Sequence, residues 1–527
     1  MEKNKKPLLL YNANYYLDNT FKKGSILINN GKISKISENI NIDEVEIEKD
    51  YELINCDSLA LVPGFIDSHM HLPGDYLYRY YGLNLTTKHS FEEYIQAIKD
   101  IKSKSLSIIR GFGWNQNIMD SKGIEGFRQI KELIDKLFPN EAFILYSDDY
   151  HSCICNQYLL NKYTPVRSYD YSLAKVGLLE EEDIFQIQKQ LRELTFSNEE
   201  IRDAILKYQN MLLSLGITGI QTLMFLGGDN HREWEILKEL DKNKELHLNV
   251  NLALTIHPTD KKDEIYDKLS WLKNFESEKI KINTIKIYID GVVENKTAFL
   301  SEPYEDSSET GDYLWEDEDL NEFCRFVDKN NLQIHAHAIG DLAVHLITKA
   351  LCNAMDLNKS KKKNRHVITH LQIANEEDIK LMGEYGIIAN IQPYWIPIGG
   401  YYPLDEKHIG NRVKDEYKVN SFFKNNVIVT ASSDSPVTQY PYPIFGISNA
   451  IFRSNLNEKS SFSDMLNAFT YNGAYQLGRE DEIGIIKEGH KADLALLSTI
   501  PNMNSIEEFE DTKLLMTISD GEIVYSL

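Results

Sequence analysis

Short runs of consecutive apolar residues, each about the length of a strand, recur through the middle of the chain. They are Leu61–Ile66, Ile217–Thr222, Leu246–Leu254, Ile282–Ile289, Leu332–His337, His366–His370, Ile387–Gln392 and Val427–Ala431. Unbroken apolarity marks strands buried on both faces, as in parallel sheets. Segments with helical spacing, such as Asp319–Asn330, Asp341–Met355 and Glu376–Glu384, separate most of them. The pattern predicts an α/β protein built on a (β/α)8 barrel. Two further runs, Ser107–Phe112 and Ala142–Tyr146, fall between Leu72 and Leu213, a stretch too long for one βα loop. With the charged, helix-like segment Leu179–Leu215 they predict an α/β subdomain inserted after the first barrel strand. Such an insert would overhang the C-terminal face, where barrel enzymes keep their active sites.

The two ends show a different pattern. Ser25–Ile36 holds two β-rich runs around Asn30-Gly31, and Leu514–Ile518 and Ile523–Tyr525 flank Asp520-Gly521. Asn-Gly and Asp-Gly favour the type I′ hairpin, whose two central residues both need positive φ. With the run Ala492–Leu497 just upstream, both termini are expected to build one small β-sandwich. The expected division is 1–61 and 478–527 for the sandwich, 62–72 for barrel strand 1, 73–212 for the insert and 213–477 for the rest of the barrel.

Composition narrows the partners. The 527 residues carry 80 acidic against 57 basic side chains, a formal charge of −23, which argues against nucleic acid or an anionic membrane. A small-molecule substrate is the expectation, and a homodimer is compatible with it. The five cysteines make no disulfide framework, and Cys153 and Cys155 lack a second pair to complete a zinc knuckle. Neither a secretory leader nor a membrane-length apolar window is visible, so a cytoplasmic protein is expected.

Chemistry-bearing residues cluster at the ends of the apolar runs. His69 and His71 follow Leu61–Asp67, and alternation puts both imidazoles on one side, where they could chelate a divalent ion. His335 and His337 close another run, and His370 closes the next. Each alone could be a hydrogen-bonded core histidine; several at the same end of parallel strands point to a metal. Asp434 follows the last run and could bind metal and take a proton from water, or cap the next helix. Lys286 lies within an apolar run, on one face with Tyr288 and Asp290. It could pair with Asp290, or burial could lower its pKa enough for carbon dioxide to convert it to a metal-bridging carbamate.

The order H-x-H, Lys, His, His, Asp on strands one, four, five, six and eight resembles the amidohydrolase superfamily, in particular its amidohydrolase-3 branch. The matching stretches include Pro63–His71, Gly113–Asn115, His151 with Asn156, Lys286–Gly291, His337–Asp341, Arg365–Gln372, Ser433–Val437 and Asn472–Ala474, and they run through almost the whole chain. The resemblance implies metal ligands at His69, His71, Lys286, His337, His370 and Asp434. It implies one or two divalent ions, zinc above all, with His69, His71 and Asp434 at one and His337 and His370 at the other, bridged by carbamylated Lys286. It further implies hydrolysis of a C–N bond, amide or formamide-like, with Asp434 as general base. His335 would hydrogen-bond the oxyanion or orient a ligand, and Trp114, Tyr150, His151 and Asn156 would line the pocket or fill the insert's core. A deaminase or cyclic amidase of the same superfamily is the alternative, and a non-catalytic binding protein on this fold a more distant one. Thr369 stands where relatives often carry Glu, and Lys296 where they carry Arg.

Overall fold

The computed structural model describes residues 7–38, 51–101, 108–162, 175–180, 183, 184, 187, 196–223, 230–258, 260 and 275–527. The chain forms two compact units. Met1–Met70, Gln209–Met224 and Lys238–Leu527 make the first, and His71–Tyr208 with Phe225–Leu237 make the second.

Five strands open the chain: β1 (Leu8–Leu17), β2 (Thr20–Asn29), β3 (Lys32–Ser37), β4 (Glu52–Asn55) and β5 (Ala60–Pro63). β6 (Phe65–Met70) follows at once. Next come β7 (Leu83–Asn84), β8 (Ile108–Trp114), β9 (Ala142–Ser147), β10 (Ser152–Cys155) and β11 (Leu178–Glu180). The series continues with β12 (Ile217–Thr222), β13 (Asn249–Thr255), β14 (Ile280–Tyr288), β15 (Gln333–Ala338), β16 (Val367–His370), β17 (Ile388–Ile391) and β18 (Val429–Ala431). β19 (Leu494–Leu497), β20 (Leu514–Ser519) and β21 (Glu522–Ser526) end it.

In the first unit, β6 and β12 to β18 form one parallel eight-stranded sheet in chain order, the (β/α)8 barrel. Three hydrogen bonds join its two end strands and the turn after β18. Ser68 Oγ donates to Ala431 O (2.8 Å), Ser433 N to Asp67 Oδ1 (3.1 Å) and Asp434 N to His69 O (2.9 Å). The helices between strands follow their sequence pattern. In Asp317–Lys329, Leu320, Phe323, Cys324 and Val327 repeat at one-turn spacing and are buried. Three acidic residues in its first turn and Lys329 in its last complement the helix dipole. Glu376–Tyr385 stops at Gly386, which takes the left-handed conformation of a C-cap.

Strands from both termini share a second sheet of the same unit, ordered β21-β20-β19-β5-β1-β2-β3 with β4 on β1. Both hairpin signals hold: Asn30 and Gly31 have φ of 49° and 79°, Asp520 and Gly521 46° and 73°. The run Leu61–Ile66, expected as one barrel strand, is divided between the two sheets. β5 pairs with β19, whereas β6 opens the barrel beside β12. The hydrogen bonds change partner at one residue, since Gly64 N donates to Asp493 O and Phe65 N to Gly216 O. Both strands are buried on both sides, so apolarity alone could not reveal the switch.

The second unit holds a sheet ordered β11-β10-β9-β8-β7. The helices Phe91–Asp100 and Ile124–Leu137 contribute Phe91, Tyr94, Phe127, Ile130 and Ile134 to its core with Phe143. Within the expected helical segment 179–215, Leu178–Glu180 is a strand and Asn198–Leu213 a helix, while 181–182, 185–186 and 188–195 lie outside the described residues, as does Ser107. All five cysteines are free and buried. No helix among the described residues is long and apolar enough to cross a membrane.

A Cβ at Gly64 would collide with the buried Thr218 side chain, which as a β-branched strand residue cannot turn away. Gly64→Ala is expected to cost about 1–3 kcal/mol, read as a lower urea midpoint of unfolding. An unchanged midpoint would show that the turn between the sheets tolerates a side chain.

Candidate metal centre

The barrel's parallel register sets the histidines side by side. Asp67 and His69 are two residues apart on β6 and so share a face. On neighbouring strands Lys286 lies opposite His335, Tyr288 opposite His337, and Ala338 opposite His370. Asp434 comes three residues after β18. Lys286, His69, His335, His337, His370 and Asp434 are all buried. His370 and Asp434 adopt left-handed backbone with φ of 74° and 55°, a conformation that costs energy in a non-glycine residue and collects at functional sites.

His69, His370 and Asp434 bring one potential ligand atom each within 4.8 Å of one another, a geometry able to hold a metal ion. His69 Nε2 lies 3.2 Å from Asp434 Oδ1, and the His69 and His370 rings are 5.1 Å apart. The other nitrogen of His69 faces His335 Nε2 at 2.8 Å. His337 packs edge-on to His370 at 4.5 Å and its Nε2 meets Gly291 O at 3.1 Å. The group of three forms without His71, which follows β6 and begins the second unit.

Neighbouring side chains fix these rings. His370 Nδ1 bonds Gln392 Oε1 at 3.0 Å, which leaves Nε2 with the lone pair. Gln392 Nε2 is held in turn by Thr369, Asn390 and Ser432. Thr369, the residue standing where relatives often have Glu, donates to Asn390 at 2.7 Å and so belongs to this support. Trp395 stacks on His370, its ring 5.5 Å away and 2° from parallel. Gln392 was visible in the sequence as a polar strand end, whereas nothing marked Trp395.

Asp290 does not pair with Lys286. Its carboxylate accepts from the backbone N–H groups of Phe299, Ile339 and Gly340 at 2.8–3.0 Å and so shapes the loops after β14 and β15. Lys286 Nζ is buried without a hydrogen-bond partner, 4.6 Å from the centre of the Tyr288 ring. Burial brings its pKa down to about 7, against a smaller opposing pull from Asp434. Burial also drives His335 and His370 well below the ordinary histidine value, and pushes the Asp67 acid up to about 7. Burial therefore holds the imidazoles of His335 and His370 uncharged near the Asp434 carboxylate, and His335 Nδ1 is a second buried atom without a partner. Such a donor set fits a divalent cation, which would supply the missing positive charge.

The four residues expected from the insert lie in the second unit. Trp114 is enclosed in its core, with Nε1 donating to Leu145 O at 3.1 Å. Asn156 spends its side chain on the backbone of Phe143, Leu159, Phe138 and Glu141. Tyr150 stacks on Phe112 at 4.5 Å with φ of 66°, and the backbone of His151 donates to Asp149. Lys296 forms an ion pair with Asp306 at 2.7 Å.

A parallel barrel with histidines at its strand ends and an aspartate after its last strand defines a class of metal-centred barrels. Residues 52–525 match the profile of the amidohydrolase family, and the chain belongs to that family. It is 24% identical over 501 residues to the putative amidohydrolase YtcJ of Bacillus subtilis, covering 90% of each chain. It is 25% identical to the protein LONG AFTER FAR-RED 3 of Arabidopsis thaliana, covering 95% of this chain and 88% of that one. Among solved structures, an uncharacterized metal-dependent hydrolase of Pyrococcus horikoshii shares the fold, with a TM-score of 0.72, 22% identity, and coverage of 95% and 99%.

The depressed histidines give a pH dependence to the metal-free protein. Unfolded histidine takes up a proton near pH 6.5, which folded His335 and His370 resist. Stability is therefore complete above that pH and lost as pH falls through it, while Asp67 contributes the opposite trend between about pH 4 and 7. In urea titrations between about pH 6.5 and 5, His335→Asn should flatten the loss by up to one proton. An identical slope in the variant would show that His335 protonates freely in the fold.

Proposed function

We propose that this chain is a metal-dependent hydrolase that cleaves the C–N bond of an amide or N-substituted formamide. The observation that carries the reading is the buried group of His69, His370 and Asp434. Imidazole and carboxylate without thiolate suit zinc. His69, His370 and Asp434 would hold one ion; His337, beside His370, and Lys286 would serve a second. A bound divalent ion polarises a carbonyl and lowers the pKa of water from 15.7 toward 7.

The chain's own residues carry the proton. Asp434 accepts it from the attacking water and returns it to the leaving nitrogen. The 2.8 Å contact between His335 and His69 supports an orienting role for His335, holding the ring that faces Asp434. Lys286, with an amine about half neutral at a pKa of about 7, is the candidate for carbamylation. Its nitrogen would bond the carbon of carbon dioxide and release one proton, leaving an anion in place of a buried amine.

Metal analysis of the purified protein should find one or two divalent ions per chain, and the loaded protein should turn over a member of a panel of N-formyl, N-acyl and cyclic amides. Asp434→Asn should keep at least part of the metal and lose about 10²–10⁴-fold in kcat. A protein that takes up no divalent metal, or an Asp434→Asn variant with full activity, would contradict the proposal. Intact mass of Lys286-containing peptides under bicarbonate should show the added carbon dioxide if two ions bind.

A further inference from the structure

The loop after β17, the segment Val413–Tyr417 and the residues that follow the helix Pro443–Phe452 line a half-open cavity of about 380 Å3, a size typical of small-molecule sites. Arg453, Glu416, Lys414, Tyr401 and Leu456 stand in its wall. Arg453 is only 5% exposed. Its Nη1 donates to Tyr417 O at 2.6 Å, but its Nε has no acceptor, and among the described residues it forms no ion pair. Glu458, the carboxylate whose charge acts on it most, is already bonded to Ser421 N and Oγ at 3.0 and 2.6 Å.

Glu416 does not neutralise Arg453 either. It is buried, and Gln372 donates to its Oε1 at 2.7 Å and to Asp405 at 3.4 Å. Burial and the neighbouring Asp405 push its acid well up, so the two carboxyls retain a proton at neutral pH. The wall is left with Arg453 and Lys414 as its charges, in a chain of formal charge −23. A buried guanidinium with no carboxylate in ion-pair contact is costly, and its planar fork matches a carboxylate. Two short connections tie the cavity to the metal cluster. Gln372, bonded to Glu416, is two residues beyond His370, and Trp395, stacked on His370, is two residues before Pro397 in the cavity wall.

We propose that this cavity is a carboxylate subsite: the substrate bears a carboxylate that pairs with Arg453, on an apolar or aromatic body that lies against Tyr401 and Leu456. The proposal rests on the amidohydrolase reading and adds the substrate class to it. Both side chains of the rim are exposed for such a contact, Tyr401 by 42% and Leu456 by 75%.

The test is calorimetric titration of the metal-loaded protein with both enantiomers of N-formylphenylalanine and with their methyl esters. One acid should bind about tenfold more tightly than its ester. Arg453→Gln should abolish that preference and Arg453→Lys should keep part of it, with circular dichroism and metal content confirming that each variant is folded. Should Arg453→Gln fail to fold, the wild-type comparison and Arg453→Lys still decide. Equal binding of acid and ester, no acid binding at millimolar concentration, or a preference that survives Arg453→Gln overturns the subsite. Hydrolysis of neutral formamides with no preference for acids would overturn the subsite and leave the amidohydrolase reading intact. Arg453-dependent binding of acids without hydrolysis by the loaded protein would support the subsite and count against that reading.

Discussion

The seam between the first and last barrel strands governs both the fold and the site. Ser68 reaches Ala431, Asp67 receives Ser433 N, and His69 O receives Asp434 N. These bonds complete the barrel between segments more than 350 residues apart in sequence. They also set His69 Nε2 3.2 Å from Asp434 Oδ1. The left-handed backbone at Asp434 is tolerable because its own N–H is held by this seam.

The barrel interior beneath the histidines is polar. Gln476 donates to Gln221 and Ser68 O, Thr430 donates to Gln476, Gln221 donates to Thr284, and Asn390 donates to Ser68 and Thr430. Barrel cores are more often layers of branched apolar side chains. Each of these bonds adds only about 1 kcal/mol net; their larger effect is directional, since a buried amide network is stable in one arrangement and costly in others. Gln392 belongs to it and reaches His370, so the orientation of one candidate ligand is set by groups on several strands.

Much of this was legible in the sequence. Apolar runs located the barrel strands because parallel strands are buried on both faces, and Asn-Gly and Asp-Gly located the terminal hairpins because their turns need positive φ. The histidines at strand ends and Asp434 stood out for the same reason: polar groups ending apolar runs. Other features were hidden. The change of sheet at Gly64 leaves no mark in a run that is apolar throughout. The two strand-end histidine pairs could not show that His370, from a separate strand, is the one grouped with His69 and Asp434. Asp290 looked like a partner for Lys286 by alternation, but three backbone N–H groups, fixed only by the folded loops, take its carboxylate. Trp114 and Asn156 matched a family motif, and their contacts are those of a core residue and a backbone brace within the insert. Trp395 ends a single 3-10 turn, Pro393–Trp395, too short to show a periodicity, and only the fold brings its ring onto His370.

The central claim is that His69, His370 and Asp434 are the ligands of a divalent ion. Anomalous diffraction from zinc-loaded crystals tests it most directly. The account predicts a zinc peak about 2.0–2.2 Å from an imidazole nitrogen of each histidine and from a carboxylate oxygen of Asp434. A fully loaded crystal whose anomalous peaks all lie away from these three side chains would contradict it.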